Sequence, residues 1–213
     1  MHTAVPNSDL ENLLNAVNKQ VIQLSYRWKI FCQLFDSGQD NIELLNKSGS
    51  NVFELFQRLV LDDAMISLSR LTDPEKSSGN ENASVRNLLE KAKSHLKIST
   101  VTEVEAQITE LDNYVLSIRK HRNKALAHSD LEHALNATAL PPVTYDELES
   151  AMKTLQAIVN KIASEACRRT TYYDPIIPYG CGGDSLLRAL KRCQGTETDN
   201  DGKDEHQYQD APN

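Results

Sequence analysis

Residues 101–128 read VTEVEAQITELDNYVLSIRKHRNKALAH, and this stretch decides the fold. Its apolar residues recur at steps of three or four, and one charged residue, Arg122, takes a place in the series. Side chains with this spacing lie on one face of an α-helix. The positions are Val101, Val104, Ile108, Leu111, Val115, Ile118, Arg122 and Ala125. The stretch therefore predicts one long amphipathic helix that buries a single stripe.

The same spacing recurs on both sides of this stretch. Long stripes cover residues 10–35, 52–70 and 148–166, and a shorter one runs from about Ser84 to Leu96. Capping boxes mark three helix starts, at Ser8 with Glu11, Thr100 with Glu103, and Thr144 with Glu147. No segment of four to eight residues alternates as a half-buried strand does. The sequence predicts an all-α fold, an up-and-down bundle of four long helices plus one or two short helices.

The composition changes near residue 195. Six acidic residues and one lysine give segment 195–213 a charge of −5, whereas the whole chain carries −7. Such a polar segment cannot bury enough apolar surface to fold. We therefore predict one domain, residues 1–194, with a C-terminal arm from about residue 174 and a disordered acidic tail, 195–213. The arm holds a glycine-rich turn at 180–184 that matches no phosphate-binding spacing, and we expect it to pack back on the bundle.

The sequence favours a cytoplasmic protein without membrane contact. No run of about 18 apolar residues is present, and the N-terminus lacks the basic start and apolar stretch of a signal peptide. The four cysteines are Cys32, Cys167, Cys181 and Cys193, and they form no CxxC pair. We expect reduced thiols, no metal site and no other cofactor.

Three charged residues occupy positions where the helical period calls for an apolar side chain. Asp63 and Arg70 lie on the second stripe, and Arg122 lies on the third. Because an unpaired buried charge is very costly, these residues should be paired or should line a wet cleft. One interpretation is an ion-pair network, Asp63 with Arg70 or Arg122, that fixes helix register. The other is a functional site that includes all three.

The most basic part of the chain is SIRKHRNKALAHSD, residues 117–130. By charge alone, such a run is usually a solvated helix face. Its core, RNKALAH from Arg122 to His128, resembles the motif of HEPN domains, in which an arginine and a polar residue precede a histidine. Together with LVLDDAMISLSRLTDP at 59–74 and an IPYG arm at 177–180, the layout is similar to the abortive-infection U type of HEPN domain over roughly residues 8–192.

This resemblance implies a metal-independent endoribonuclease that uses the RNA 2′-hydroxyl as nucleophile. His128 would act as general acid or base, because imidazole titrates near neutral pH. Arg122 would hold the scissile phosphate, and Asn123 would hydrogen-bond to it or orient the histidine. Nearby cations are expected to bind the substrate, and two stripe charges are expected to support the site. The cations are Arg119, Lys120, His121 and Lys124; the supporting residues are Asp63 and Arg70.

Helix geometry and the resemblance both point to a homodimer. Six residues at about 100° each place Arg122 and His128 about 120° apart around an ideal helix and roughly 9 Å apart along it. One chain holds the two side chains awkwardly, and HEPN proteins commonly bring two such motifs into one cleft. An antitoxin protein is a further expected partner if the chain acts as a toxin or in phage defence.

Two other functions stay open at the level of sequence. One is a non-catalytic HEPN module that binds RNA, a nucleotide or a protein partner, which the low net basicity favours. The other is a scaffold in which RNKALAH is a salt-bridged helix end, with His128 interacting with the last carbonyl groups. The sequence does not identify an RNA target.

Overall fold

The computed structural model describes residues 8–121 and 143–200, and within these ranges the protein is all-α. Its elements are α1 Ser8–Phe35, α2 Gln39–Leu71, β1 Lys76–Ser77, β2 Asn80–Glu81, α3 Val85–Ala92, a 3₁₀ turn Lys93–His95, α4 Ile98–His121, α5 Tyr145–Cys167 and α6 Gly183–Asn200. None of the described helices combines the length and apolar character needed to cross a bilayer. The predicted all-α fold class is confirmed.

The chain divides into two compact units. Unit 1 comprises Met1–Trp28 and Leu59–Pro175, and unit 2 comprises Lys29–Arg58 and Ile176–Asn213. Helices α1 and α2 each contribute to both units. The predicted bounds of a single domain, residues 1–194, stay a prediction. Helix α6 continues to Asn200, and the rest of the predicted tail, residues 201–213, lies outside the described residues.

The interior of unit 1 includes the third and fourth predicted stripes. Helix α5 packs along α4, and α3 lies against both. Leu111, Val115 and Ile118 of α4 are fully buried. Every predicted position of the α5 stripe is buried as well: Leu148, Met152, Leu155, Val159, Ile162 and Ala166. Period alone predicted these buried faces correctly, because each stripe is covered by a neighbouring helix.

Two of the predicted capping boxes have opposite outcomes. At the start of α5, the Thr144 hydroxyl accepts from the backbone N–H of Glu147, and the Glu147 carboxylate accepts from that of Thr144, so this box is confirmed. The box of Thr100 and Glu103 is wrong. Helix α4 begins at Ile98, which places Thr100 inside its first turn, and Glu103 pairs instead with Lys161.

A carboxylate from another helix caps α4. Glu165 of α5 accepts from the backbone N–H of Lys97 at 2.6 Å and from the hydroxyl of Thr100 at 2.6 Å. These two hydrogen bonds, that from Thr100 first, lower the pKa of the Glu165 carboxyl below its ordinary value. A negative charge at a helix N-terminus also interacts favourably with the helix dipole. Glu165 therefore fixes the start of α4 against α5.

The segment after α5 is fastened to unit 1 by polar contacts. Arg168 ends the helix in the left-handed region with φ 53°, and the amide of Asn160 bonds both backbone groups of Thr171, at 2.8 and 2.9 Å. The buried Tyr173 hydroxyl donates to Oδ1 of Asn18 in α1. Burial raises the pKa of Tyr173 to about 12. This segment is thus an ordered part of unit 1.

A two-residue hairpin interrupts the connection between α2 and α3. Strands β1 and β2 pair antiparallel, with Lys76 opposite Glu81 and Ser77 opposite Asn80. Ser78 and Gly79 form the turn with φ 50° and 84°, the paired positive φ angles of a tight hairpin turn. The strands are too short to give an alternating pattern, so the sequence predicted only a break here.

In unit 2, the second predicted stripe is not fully covered. Leu34, Leu44, Leu45 and Leu187 form a small apolar cluster, with Phe53 packed beside it. Val52, however, is 68% exposed and Phe56 is 38% exposed, so the prediction that these positions are buried is wrong. Helix α2 leaves helical geometry at Gly49, within Ser48-Gly49-Ser50, with φ 160° and ψ 66°. Val52 and Phe56 come after this kink, and they line an open groove where no helix covers them within the described residues.

The glycine-rich turn of the arm lies against α1 within unit 2. A Cβ atom on Gly183 would come within 2.8 Å of Leu34 and 2.9 Å of Gln33, and one on Gly182 would meet Gln33 at 2.6 Å. The Gln33 side chain accepts from the Gly183 N–H at 2.9 Å and donates to Asp184 at 3.0 Å. Glycine is needed here because the arm approaches α1 more closely than any side chain allows.

Candidate functional site

The candidate site is the C-terminal end of α4 with the parts of α1 and α2 that surround it in unit 1. Buried Val115 and Ile118 hold the last turns of α4 against the interior. The described part of α4 runs to His121, immediately before RNKALAH. Four of the predicted site residues follow that point and lie outside the described residues: Arg122, Asn123, Lys124 and His128.

Arg119 caps the end of α2. Its Nη2 donates to the carbonyl oxygen of Thr72 and, at 3.0 Å, to the Thr72 hydroxyl oxygen. Thr72 directly follows α2, where the last carbonyl groups of a helix lack intrahelical partners. The Thr72 hydroxyl in turn donates to the Leu68 carbonyl at 2.8 Å. A guanidinium at this position satisfies a free carbonyl and complements the helix dipole.

The same guanidinium belongs to a charged row along α4. Nη1 of Arg119 lies 3.7 Å from Oδ1 of Asp112, two turns earlier on the helix. Asp112 also pairs with Arg86 of α3. All three side chains are about one-third exposed, so the row is partly screened by solvent. Arg119 was predicted to bind substrate; in the structure its Nη2 binds Thr72 and its Nη1 forms an ion pair with Asp112, and its Nε makes no hydrogen bond within the described residues.

Two further predicted substrate-binding residues follow Arg119. Lys120 is exposed on the last described turn of α4. His121 is the last described residue of α4, and its side chain lies outside the described part of the chain. The prediction that Lys120 and His121 contribute to substrate binding stays a prediction.

Asp63 pairs with a residue that the sequence did not indicate. Its Oδ2 lies 2.7 Å from Nε of Arg27 in α1, and Arg27 also donates to the Ser67 hydroxyl at 3.5 Å. The sequence interpretation paired Asp63 with Arg70 or Arg122, whereas Arg70 is exposed on the last turn of α2. Both members of the observed pair are at least 40% exposed, so the pair contributes little to stability.

Sequence reasoning missed four residues that organise this region: Arg27, Thr72, Arg86 and Asp112. Arg27 lies next to the stripe residue Trp28. Its partner, Asp63, lies on another helix, 36 positions later in the chain. Asp112 likewise follows stripe residue Leu111. Flanking positions of this kind carry no periodic signal, because pairing between helices depends on which faces meet. A charged residue beside a stripe is the only trace that such contacts leave in the sequence.

No three side chains of histidine, cysteine, aspartate or glutamate come together at metal-binding distances within residues 8–121 and 143–200. What this region does offer is a set of contacts between helices. Arg119 connects the last described turns of α4 to the end of α2, and the exposed Arg27–Asp63 pair adds a weak contact between α1 and α2.

Comparison with known proteins gives one match. The sequence model of the HEPN family described as AbiU2 matches residues 7–179, which is most of the chain and includes both LVLDDAMISLSRLTDP and RNKALAH. No curated protein and no solved structure matches significantly.

Proposed function

The chain belongs to the AbiU2 family of HEPN domains, and on that premise we propose that it is a metal-independent endoribonuclease acting in abortive infection. The observation that carries the proposal is the extent of the family match. The match covers residues 7–179, a range that includes both the α2 segment LVLDDAMISLSRLTDP and RNKALAH. The contacts of Arg119 with the end of α2 support the proposal, because a site is positioned more precisely on a well-packed helix than on an unsupported one.

The chemistry assigned to the motif is an internal transfer at phosphorus. The RNA 2′-oxygen attacks the adjacent phosphorus, the bond to the 5′-oxygen of the next nucleotide breaks, and the products are a 2′,3′-cyclic phosphate and a 5′-hydroxyl. His128 transfers the proton taken from the 2′-hydroxyl or given to the leaving 5′-oxygen. Arg122 neutralises the charge that develops on the phosphoryl oxygens, and Asn123 donates a hydrogen bond to it or orients His128.

A homodimer completes this proposal. Arg122 and His128 lie six positions apart, and on an ideal helix their side chains diverge by about 120°. Two copies of the motif facing each other would supply an arginine from one protomer and a histidine from its partner. Lys120, His121 and Lys124 would extend the cationic surface along the RNA, and an antitoxin protein would cover it.

The test uses purified full-length protein and total RNA in EDTA. Wild type should cleave, and Arg122→Ala or His128→Ala should lower the rate by about 100-fold or more, the usual contribution of such groups. Newly formed 5′ ends should accept label from polynucleotide kinase without prior phosphatase treatment, because they carry a hydroxyl. His95→Ala and Arg58→Ala serve as matched controls and should retain full activity.

Mixing the two inactive variants tests the shared cleft. If each site takes its arginine and histidine from different protomers, random exchange makes half of the dimers mixed, each with one intact site, and about a quarter of the activity returns. If mixed dimers form but cleavage activity does not return, each protomer holds a complete site. Cleavage that survives both single substitutions would overturn the assignment of Arg122 and His128.

A second candidate function is a non-catalytic HEPN module that binds RNA, a nucleotide or a protein partner. The observation that favours it is the engagement of Arg119 with Thr72 and Asp112, which removes one cation from the predicted RNA surface. The same samples separate the two functions. Binding that weakens as salt rises, without cleavage, identifies the module.

A further inference from the structure

Unit 2 contains an open apolar groove of about 680 Å³. One wall comes from Ile30 and Leu34 of α1, and another from Val52, Phe53 and Phe56 of α2. The third side is the glycine-rich turn and the first half of α6, from Tyr179 to Arg192. We call this feature the α6 groove. Its volume is typical of small-molecule sites, which span roughly 300–1,000 Å³.

The walls of the α6 groove include large apolar side chains that face solvent. Val52 is mostly exposed, Phe56 is partly exposed, and Leu186 is 41% exposed. Burial of such side chains against a ligand is favourable, because it removes apolar surface from water. The groove therefore has a strong preference for an apolar occupant.

The charge of the groove opposes that of the protein. Its described lining contains two arginines, Arg188 and Arg192, and no aspartate or glutamate, although the whole chain carries −7. Arg188 lies over the ring of Tyr179 at 5.0 Å and donates to the Ser185 hydroxyl at 2.8 Å. These contacts hold one guanidinium at the groove in a defined position, and a guanidinium carries five N–H donors in all.

The backbone that forms the groove is specified by glycine. Because Gly182 and Gly183 let the turn touch α1, the start of α6 reaches the position from which Arg188 and Arg192 line the groove. The Gln33 side chain fixes that start through Gly183 and Asp184, and the Ser185 hydroxyl accepts from the Gly180 N–H at 3.0 Å. The sequence analysis assigned no binding function to this glycine-rich turn. In the structure, the turn forms part of the groove wall.

We propose that the α6 groove binds a small amphiphilic anion, a ligand with an apolar body and one anionic head group such as a carboxylate or sulfonate. The body packs on Leu34, Val52 and Phe56, and the head group pairs with Arg188 and Arg192. Charge complementarity selects this occupant, because two guanidinium groups and no carboxylate are among the described lining residues, so an anion is attracted and a cation is repelled. All the described residues that line the groove belong to unit 2.

The experiment compares two fluorescent probes on the full chain. The probes are 8-anilinonaphthalene-1-sulfonate and N-phenyl-1-naphthylamine, which share a ring system and differ by the sulfonate. The anionic probe should bind with one-to-one stoichiometry and more tightly than the neutral one. In the double variant Arg188→Gln with Arg192→Gln, its Kd should rise about tenfold, whereas the Kd of the neutral probe should change less than about twofold.

Two further variants locate the binding. Arg58→Gln removes a charge from the same unit outside the groove and should leave both Kd values unchanged. Val52→Asp places a like charge in the groove at an exposed position, so folding is preserved, and it should weaken the anionic probe most. Circular dichroism confirms folding of every variant. Equal loss of both probes in the arginine variant would overturn the proposal, as would no binding of the anionic probe. A dimer that Val52→Asp dissociates would do so too, because the groove would then be covered by a second copy.

Discussion

In unit 1, Leu111, Ile118 and Leu155 are fully buried, whereas in unit 2 Val52 is 68% exposed and Phe56 lies partly open to solvent. The sequences of both regions show the same helical period. The difference is in the number of covering elements. Helix α4 meets both α3 and α5 in unit 1, whereas the face of α2 beyond the Gly49 kink borders a groove. An apolar stripe therefore shows which face of a helix is suited to burial, but it does not show whether another element covers that face.

We expect the largest change in the free energy of unfolding when a core side chain of unit 1 is truncated. Leu155→Ala should destabilise unit 1 by about 2–5 kcal/mol, because it leaves a cavity between packed helices. Val52→Ala should change stability by less than about 0.5 kcal/mol, since the side chain is mostly in water already. Urea unfolding followed by the single tryptophan, Trp28, which packs edge-on against Tyr145, measures the former. Circular dichroism measures both. Equal effects of the two substitutions would remove the distinction between the units.

A smaller effect concerns Tyr173, the polar anchor of unit 1. Its pKa in the folded protein is about 12, above the ordinary value of 10.0, so the stability that it contributes is present below pH 10 and is lost as pH rises towards 12. The loss is roughly 2 kcal/mol. Tyr173→Phe should therefore flatten the decline in the urea midpoint between pH 9 and pH 12. The exposed neighbour Tyr172 supplies the control, because Tyr172→Phe should leave the decline intact.

We expect the smallest changes in stability at two helix starts, each of which is capped by a side chain from another helix. Glu165→Ala removes the cap of α4 in unit 1, and Gln33→Ala removes that of α6 in unit 2. Each should cost about 1 kcal/mol at pH 7. The pKa of Glu165 is lowered, so its contribution is present above the ordinary value of 4.5 and is lost as pH falls through the depressed pKa. Thermal melts should show the Glu165→Ala penalty shrinking at pH 3, while that of the non-titrating Gln33 persists.

The sequence predicted most of the fold because helix formation and one-sided burial are written in local periodicity. The stripes of α4 and α5, the box of Thr144 and Glu147, and the break before α2 all follow from neighbours within a few positions. The family was also accessible, since the α2 segment and RNKALAH occur in order along the chain. The box at Thr100 failed because helix boundaries depend on contacts such as that from Glu165.

The candidate site was predicted only as a set of residue types. Sequence placed Arg119, Asp63 and Arg70 in one functional group, but the partners of Arg119 and Asp63 are Thr72, Asp112 and Arg27. These pairs join different helices, and their geometry depends on how the faces of those helices meet. The catalytic roles of Arg122, Asn123 and His128 remain a prediction from the motif and its family.

By itself, then, the sequence determined that the protein is helical, which stripes require cover and which family motif it carries, because these properties depend on residues close together along the chain. The tertiary structure alone decided which charged residues pair, that Arg119 of α4 caps the C-terminal end of α2, and that the face of α2 after Gly49 borders a groove. The physical reason is that these outcomes depend on directions in space between distant segments, and a one-dimensional period contains no such information.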